Sequence, residues 1–424
     1  MSTTSNPTAI PPAHSSDHSV PEDTRVEKSL RWHLITPEYP PQLGGVSDYT
    51  CQLAAGLSGQ GDEVHVWCPA LRLPNGPPDS LASSDVHVHR EFGSFAPADL
   101  RAAGHKLDSF PAPRHLLVQW VPHGYGYRSM NLGFCWWLWK RAIRHGDCIE
   151  LMVHEPFLTF DWASPRQNAA ALVHRSMIIL LLGAASRVWI SIPGWERILR
   201  VYALGRAVGF HWLPIFSTIP AALDLARTQA VKRRYADGDR ILIGHFGTYA
   251  SPVGDLLEPI LSALARDPAE QTILLMGERS DQYRLNLIQK EPGLDKVIRA
   301  TGKMSAEDLS HHLSACDMLV QPYPDGVSTR RTSFMAGLIN AKPIVTTTGW
   351  LTEPFWFQSD AVALAPAGDT ETFLEKARRI RHDSTERMRL GSAAAKLYQE
   401  RFDLSHTISS LRRAESAEDR ACAF

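Results

Sequence analysis

Short apolar segments alternate with segments of helical periodicity along the first part of the chain. Residues 31–36 form an apolar run that enters a proline-rich loop, and apolar positions then recur at helical spacing over residues 47–58. The alternating segment 63–68 follows a glycine-containing turn and completes a β-α-β unit. Further strands are predicted at residues 86–88, 115–119, 149–153 and 187–191, with helix-length segments such as 132–145 and 167–184 between them. This alternation predicts a mainly parallel sheet.

A less regular stretch, residues 213–239, separates this pattern from a second one. The second pattern predicts strands at residues 240–247, 272–277, 297–302, 318–322 and 343–347. The fold class is therefore α/β, with two doubly wound, Rossmann-like domains that face each other across a cleft. We place the first domain at residues 30–220 and the second at residues 221–400. Such domains bind ligands at the carboxyl ends of their strands, so the chemistry is expected in the cleft.

Length and composition agree with two globular domains. The 424 residues exceed what a single hydrophobic core usually covers, and 44% hydrophobic against 21% charged residues is typical of a folded protein. There are 44 Lys and Arg residues against 45 Asp and Glu residues, so the chain lacks the excess positive charge by which proteins attract nucleic acid. We expect no nucleic-acid partner.

The amino-terminal segment, the cysteines and the longest apolar run favour a cytoplasmic protein. Residues 1–29 are rich in Ser, Thr, Pro and His and lack the pattern of a secretory signal, so we expect a disordered tail. The six cysteines form no C-x-x-C pair and are expected to be reduced thiols. The apolar run at residues 177–185 is about half of the roughly 20 residues that span a membrane, which favours a buried helix.

The first candidate binding element is the pair Gly44-Gly45, which lies between the first predicted strand and helix. A glycine pair lets the backbone approach a ligand while the helix N-terminal amides point at it, an arrangement that suits a diphosphate. A tight turn without a ligand is the alternative. The surrounding segment 38–66 resembles the amino-terminal signature of glycosyltransferase family 4, whose enzymes have the GT-B fold of two such domains.

The second candidate is the segment 322–336, a loop that leaves a predicted strand and enters a helix expected to begin near Ser328 or Thr329. An anion at such a helix start gains about 0.3–1 kcal/mol from the helix dipole. A charge-assisted hydrogen bond from Arg330 or Arg331 adds about 1.5–3 kcal/mol, so the arginine contact is the larger effect. Solvated helix arginines are the alternative, but the expected position in the cleft favours a binding role.

Family 4 enzymes carry at this location two glutamates separated by seven residues, then a helix of small residues and a Pro-led strand. Residues 336–347 resemble that ending, but the glutamates are missing. Counting back from the strand places Ser328 and Ala336 at their positions. Counting from the Asp-Gly of the loop, as in relatives similar to trehalose-phosphate synthases, places Asp325 and Ser333 there. The second register implies that Asp325 holds the hydroxyls of the donor sugar.

A second departure from the family lies at residues 247–254, which resemble the loop where an Arg and a Lys hold the donor diphosphate. This chain has Thr248 and Val253 at those positions. Our hypothesis is that Arg330 and Arg331 compensate from the opposite loop. The predicted donor site comprises Gly44, Gly45, Asp325, Gly326, Val327, Ser328, Thr329, Arg330 and Arg331.

Two loops of the first domain are candidates for catalysis and for the acceptor. His154 and Glu155 follow a predicted strand and are the predicted catalytic residues, because a His or Glu in the cleft can polarise an acceptor or contact the donor sugar. His123 and Tyr125 lie in a Gly- and aromatic-rich loop and are the predicted acceptor-side residues. A structural role is the alternative for His154.

The resemblance to family 4 covers residues 31–415 and implies a hexosyltransferase that retains the anomeric configuration. The donor is then a nucleoside diphosphate sugar, and a diphosphate oxygen helps to take the proton of a saccharide, glycolipid or small-molecule acceptor. The family also implies polysaccharide biosynthesis and a last helix, residues 401–418, that crosses back to the first domain. We expect neither a cofactor nor a metal ion, because the only Asp-x-Asp pair, Asp237-Gly-Asp239, is typical of a turn.

Other functions are open at the level of the sequence. The missing Glu, Arg and Lys residues favour a degenerate GT-B protein that binds a nucleotide sugar or a partner without turnover. A sugar-nucleotide epimerase has the same architecture, but no acid and base for the sugar C2 can be identified. The aromatic and basic helix at residues 132–145 is also compatible with peripheral contact to the inner membrane face, with packing against its own domain as the favoured alternative.

Overall fold

The computed structural model describes residues 29–42, 44–70, 85–126, 129–266 and 270–418. The predicted disordered tail lies outside these residues, except for Ser29. A first sheet of seven strands has the order β3-β2-β1-β4-β5-β6-β7. Its strands are β1 Arg31–Ile35, β2 Glu63–Trp67, β3 Val86–His89, β4 His115–Trp120, β5 Cys148–Val153, β6 Ala185–Ile190 and β7 Gly209–Trp212. The helices between them are α1 Gly45–Ser58, α2 Pro97–Leu107, α3 Leu132–His145, α4 Pro165–Ala184 and α5 Gly194–Leu199.

A second sheet of six strands has the order β10-β9-β8-β11-β12-β13. Its strands are β8 Ile241–Phe246, β9 Gln271–Met276, β10 Ile298–Ala300, β11 Met318–Gln321, β12 Ile344–Thr348 and β13 Ala363–Pro366. The helices of this half are α6 Leu225–Tyr235, α7 Ser251–Leu264, α8 Ser280–Lys290, α9 Ala306–Ala315, α10 Thr332–Ile339, α11 Thr370–His382, α12 Ser384–Arg401 and α13 Leu404–Glu418.

Both sheets follow the doubly wound order, and their paired strands are parallel. Every residue of β4 and β5 is buried, because helices cover both faces of the sheet. The strand order reverses between β1 and β4 in the first sheet and between β8 and β11 in the second. The predicted α/β class with two doubly wound domains is confirmed, and the two reversal points mark where ligands bind in such sheets.

The hydrophobic pattern of the sequence does not predict every element of the fold. The stretch 213–239, expected to be irregular, contains α6, a polar helix with no buried residue. Hydrophobic periodicity reveals such a helix poorly, since only Val231 and Tyr235 of α6 pack against the core. The edge strand β7 is short and largely exposed, so it also lacks the apolar run that identifies the inner strands, whereas the short edge strand β13 lies in an apolar run that the prediction omitted.

Helix α4 carries the apolar run at residues 177–185. It is the one helix in the described part of the chain whose length and composition would allow it to cross a membrane. Met177, Ile178, Leu181 and Leu182 are fully buried in the core of the first half. The helix therefore packs as the buried helix that the sequence favours.

The cysteines differ from expectation at one position. Cys51, Cys68, Cys135 and Cys316 form no disulfide. Cys148 is disulfide-bonded, so the expectation of reduced thiols is wrong for this residue. Cys422 lies outside the described residues.

The last helix, α13, packs against the first half of the chain. Ile408 and Leu411 belong to a buried apolar cluster that includes residues of β1 and α1. Arg412 donates a hydrogen bond of 2.5 Å to the buried carboxylate of Asp62. Asp62 also accepts hydrogen bonds from the backbone of Leu30 and the indole of Trp32. A charged contact therefore anchors the C-terminal helix on the first sheet.

Candidate functional site

Three charged side chains of the loop after β11 form one hydrogen-bonded cluster. Nη2 of Arg330 donates to Oδ2 of Asp325 at 2.5 Å, and Nη2 of Arg331 donates to Oδ1 of the same carboxylate. Both arginines are largely buried, and burial lowers the pKa of Arg330. The Nε atoms of Arg330 and Arg331 have no hydrogen-bond partner among the described residues. The Asp325 carboxylate thus pairs with two poorly solvated arginines. Both guanidinium groups still have N–H donors that can bind an anion.

Glu155, which follows β5, extends this cluster into the first half. Its Oε1 accepts a hydrogen bond of 3.4 Å from Arg330, and its Oε2 lies 3.3 Å from Nε2 of His123. The hydrogen bond with His123 lowers the pKa of Glu155, and the same contact raises the pKa of His123. The predicted residues Glu155, His123, Arg330 and Asp325 are therefore brought together at the carboxyl edges of both sheets.

His154 belongs to a different set of contacts, since neighbouring residues at a strand end project to opposite sides. Its Nε2 lies 2.9 Å from the side-chain oxygen of Gln119, and its ring meets the Tyr49 ring edge-on at 5.0 Å. Burial lowers the pKa of His154 to about 4. The ring is therefore neutral near pH 7, which makes it a weak proton acceptor and suits it to hydrogen bonding.

The middle of the donor loop is buried. Oγ1 of Thr329 lies 2.7 Å from the Ser191 carbonyl oxygen in the first half, and the Thr329 amide donates to Glu353 at 2.9 Å. Val327 belongs to the core of the second half. These two predicted donor residues therefore hold the loop and the two halves together.

Helix α10 begins at Thr332, so the expected start near Ser328 or Thr329 is wrong. The Thr329 amide and hydroxyl both donate to Glu353, which fixes residue 329 in the loop before the helix. The Ser328 hydroxyl is buried without a hydrogen-bond partner among the described residues, and is a candidate contact for a ligand.

Gly326 sits in the left-handed region with φ of +86°. A Cβ at this position would lie 2.2 Å from both the Gly349 nitrogen and the Thr352 Oγ1. The turn that presents Asp325 therefore requires glycine for conformational and steric reasons.

The predicted diphosphate contact at Gly44-Gly45 is already occupied by a side chain. Oε1 of Glu38 accepts hydrogen bonds of 3.1 Å from the Val46 and Ser47 amides at the start of α1. A Cβ on Gly44 would lie 2.0 Å from the same oxygen, whereas one on Gly45 would meet nothing within 4 Å. Gly44 thus makes room for a carboxylate that caps the helix, and an anionic ligand would have to displace it.

Tyr125 does not line the cleft. Its ring is fully buried and stacks on Trp120 and Phe134, and its hydroxyl donates to the Gln119 carbonyl oxygen at 2.8 Å. The predicted acceptor role is wrong for this residue, because an aromatic side chain in a Gly-containing loop packed into the core instead of standing free. His123, on the same loop, is half exposed.

Two tryptophans that the sequence analysis did not single out lie beside the cluster. The Arg330 guanidinium lies over the Trp195 ring, 5.9 Å from its centroid, and the rings of Trp195 and Trp350 are 6.5 Å apart. Trp195 follows β6 and Trp350 follows β12. A position just after a strand end is therefore the sequence signal that could have identified them as residues of the site. Within the described residues no group of three or more His, Cys, Asp and Glu side chains has a geometry that could hold a metal ion.

No protein-family model and no curated protein matches this chain. Solved structures do share its fold. Sucrose-phosphate synthase from Thermosynechococcus elongatus has a TM-score of 0.69 at 16% identity and covers 93% of this chain and 100% of its own. Anabaena HepE in complex with UDP and glucose has a TM-score of 0.66 at 15% identity, with coverage of 92% and 100%.

WaaG, a glycosyltransferase involved in lipopolysaccharide biosynthesis, has a TM-score of 0.60 at 12% identity and covers 90% of this chain and 98% of its own. Identities this low establish the fold alone. The assignment to family 4 therefore stays a prediction, and the chain has the two-domain GT-B fold that its sequence predicts.

Proposed function

We propose that this protein transfers a hexose from a nucleoside diphosphate sugar to an acceptor hydroxyl. The observation that carries the proposal is the cluster of Asp325, Arg330, Arg331 and Glu155, which joins both halves at the carboxyl edges of their sheets. The fold supports it, since a solved structure with the same fold is HepE in complex with UDP and glucose. A nucleotide sugar offers the two features that this cluster suits, a diphosphate and a hydroxylated ring.

In this proposal Arg330 and Arg331 bind the diphosphate and stabilise the leaving group. Their unpartnered Nε donors supply charge-assisted hydrogen bonds where negative charge develops. Two cations on a rigid loop can carry this role without a metal ion. Asp325 accepts hydrogen bonds from hydroxyls of the donor sugar, and the Ser328 hydroxyl supplies a further contact.

Glu155 and His123 lie on the acceptor side of Arg330 in this proposal. The lowered pKa of Glu155 keeps it ionised near neutral pH, so it accepts a hydrogen bond from an acceptor hydroxyl. His154, which is neutral, holds the buried side chain of Gln119 through a hydrogen bond. The leaving diphosphate takes the acceptor proton, and the reaction retains the anomeric configuration.

The test is incubation of the protein with UDP-, GDP- and ADP-hexoses and a panel of saccharide and glycolipid acceptors, followed by mass spectrometry and proton NMR. We expect a glycosylated product in the anomeric configuration of the donor, formed in the presence of EDTA. Glu155→Gln should lower kcat more than it changes nucleotide affinity, because Glu155 lies on the acceptor side of Arg330 in this proposal and does not contact the nucleotide. An inverted product would contradict the retaining mechanism.

Binding without turnover is the second candidate function. The observation in its favour is that both arginines already have an anionic partner in Asp325, while Thr248 and Val253 offer no cation from the opposite loop. A protein that binds a nucleotide sugar and releases it unchanged, with no product from any acceptor and no hydrolysis of the donor, would favour this candidate.

We further propose that helix α3 contacts an anionic membrane at the cytoplasmic face. The helix buries Phe134 and Leu138 in its own domain, as the sequence favours, but it exposes Trp136 and Ile143 on its other side. The Lys140 ammonium lies 5.5 Å from the centre of the Trp136 ring. An aromatic and basic helix face of this kind suits a membrane interface. Sedimentation with phosphatidylglycerol vesicles, reduced in Trp136→Ala, is the expected result.

A further inference from the structure

An exposed tryptophan stands on a rigid loop beside the charged cluster. Trp350 leaves 68% of its surface open to solvent. Its neighbour Leu351 is buried in the core of the first half, and the Leu351 amide donates to the Asp325 carbonyl oxygen at 3.0 Å. The Gly349 amide donates to Thr352 at 2.9 Å. A large indole is thus held in the open by a fixed backbone, where it offers an apolar ring face to a ligand.

Trp195 of the first half completes an aromatic corner with Trp350. Their rings meet at 61° with centroids 6.5 Å apart. Trp195 exposes only 6% of its surface, and its indole N–H has no hydrogen-bond partner among the described residues. A buried donor without a partner is unusual in a folded protein, and it marks a place where a ligand or a water completes the structure.

Arg330 contacts both this corner and the proposed donor residues. Its guanidinium forms hydrogen bonds with Asp325 and Glu155 and lies over the Trp195 ring. The corner is shared by both halves, since Trp195 follows β6 and Trp350 follows β12. A ring seated on Trp350 would therefore lie beside the charged cluster.

We propose that Trp350 and Trp195 form the subsite for a saccharide acceptor, in which one pyranose ring packs its C–H face on Trp350. This inference rests on the proposed function and names the acceptor class of that site. A pyranose has an apolar face of C–H groups and a rim of hydroxyls. The negative face of an indole attracts the slightly positive C–H groups, and the charged cluster of Arg330 and Glu155 beside Trp195 offers polar partners to the hydroxyls. A fixed tryptophan binds with little loss of side-chain freedom.

The test is saturation-transfer difference NMR of the whole protein with maltose, cellobiose and lactose, each in the presence of UDP. We expect saturation on the ring C–H protons of at least one disaccharide. Trp350→Ala should weaken that binding by about tenfold, and Trp350→Phe should recover part of it. Phe357→Ala is the matched control, because Phe357 is a similarly exposed aromatic residue in the same half and should leave the signal unchanged.

A thermal-shift measurement with UDP on the same variants distinguishes a failure of the saccharide subsite from a failure of the proposed function. If UDP stabilises the protein but no disaccharide receives saturation, the saccharide subsite is wrong and the proposed function stands. If Trp350→Ala reduces stabilisation by UDP and leaves the disaccharide signal intact, Trp350 serves the donor and the inference is overturned. If neither UDP, GDP nor ADP gives any stabilisation, the proposed function fails and the inference falls with it.

Discussion

Nη2 of Arg330 lies 2.5 Å from Oδ2 of Asp325, so the carboxylate assigned to the donor sugar is also the counter-ion of an arginine assigned to the diphosphate. The two roles are therefore coupled. An incoming diphosphate offers the arginines a second anionic partner, and Asp325 can then turn its oxygens to the sugar hydroxyls. Glu155 remains as the anion on the opposite side of Arg330.

Replacement of Asp325 by Asn separates these roles. We expect Asp325→Asn to bind UDP at least as tightly as the parent protein, because the arginines lose a competing anion. The preference for the cognate UDP-hexose over UDP should fall by about tenfold, since a hydrogen bond to a charged group contributes about 1.5–3 kcal/mol. Isothermal titration calorimetry with both ligands measures the two effects.

Asp369→Asn is the control for this substitution, because Asp369 is an exposed cap of α11. It should change neither affinity. An equal loss of UDP and UDP-hexose binding in Asp325→Asn would show instead that Asp325 only positions the arginines.

The pair of His123 and Glu155 predicts a specific titration. Glu155 raises the pKa of His123 above its usual 6.5, and His123 lowers the pKa of Glu155 below its usual 4.5. The histidine contribution to stability is lost as pH rises through its raised pKa, and the glutamate contribution is lost as pH falls through its lowered pKa. The pair should therefore stabilise the fold most between about pH 4.5 and 6.5.

NMR titration of the histidine ring protons measures this directly. In Glu155→Gln the pKa of His123 should fall towards its usual value, whereas Glu258→Gln, on the exposed face of α7, should leave it unchanged. A His123 pKa that does not respond to Glu155→Gln would mean that the two side chains do not interact in solution.

The turn at Gly326 predicts a difference between two glycine substitutions. Gly326 and Gly61 have similar positive φ values of 86° and 82°, but only Gly326 lacks space for a Cβ. Both Ala variants lose about 1 kcal/mol from the backbone conformation. Gly326→Ala should lose at least about 2 kcal/mol more from overpacking, in urea unfolding. Equal losses would mean that the loop after β12 yields easily.

The ion pair of Arg412 and Asp62 predicts how firmly α13 is anchored. Arg412→Ala leaves a buried carboxylate without its cation and should destabilise the protein by about 3–5 kcal/mol. Arg413→Ala changes the exposed neighbour and should cost less than about 0.5 kcal/mol. Urea unfolding of the two variants gives the comparison, and similar stabilities would argue against a structural role for this contact.

The fold was accessible from the sequence because its signals are strong and local. Inner strands such as β4 and β5 are apolar runs with both faces buried, and α3 begins and ends at the residues that the periodicity predicts. Helix α6 was not accessible, since it packs against α9 through few apolar side chains and begins at a cap, Asp224, that the prediction did not use.

The site was accessible only in outline. Their positions in loops after strands indicated that Asp325, Arg330 and Glu155 lie beside the cleft. These positions did not indicate that one carboxylate accepts hydrogen bonds from two arginines. A glycine pair has the same sequence pattern whether a phosphate or the side chain of Glu38 occupies the helix start. Spacing also cannot distinguish an aromatic residue that packs inward, such as Tyr125, from one that stays exposed, such as Trp350.

Thermal unfolding of the purified protein with UDP, GDP, ADP and their hexose conjugates measures whether the cleft binds a nucleotide. A ligand present at one hundred times its dissociation constant stabilises the folded protein by about 2.7 kcal/mol. We predict stabilisation by one nucleotide base, lost in Arg330→Ala/Arg331→Ala and retained in Arg389→Ala, whose guanidinium pairs with Glu386 on an exposed helix. Stabilisation by none of these ligands, or stabilisation that survives loss of both cleft arginines, would contradict the account.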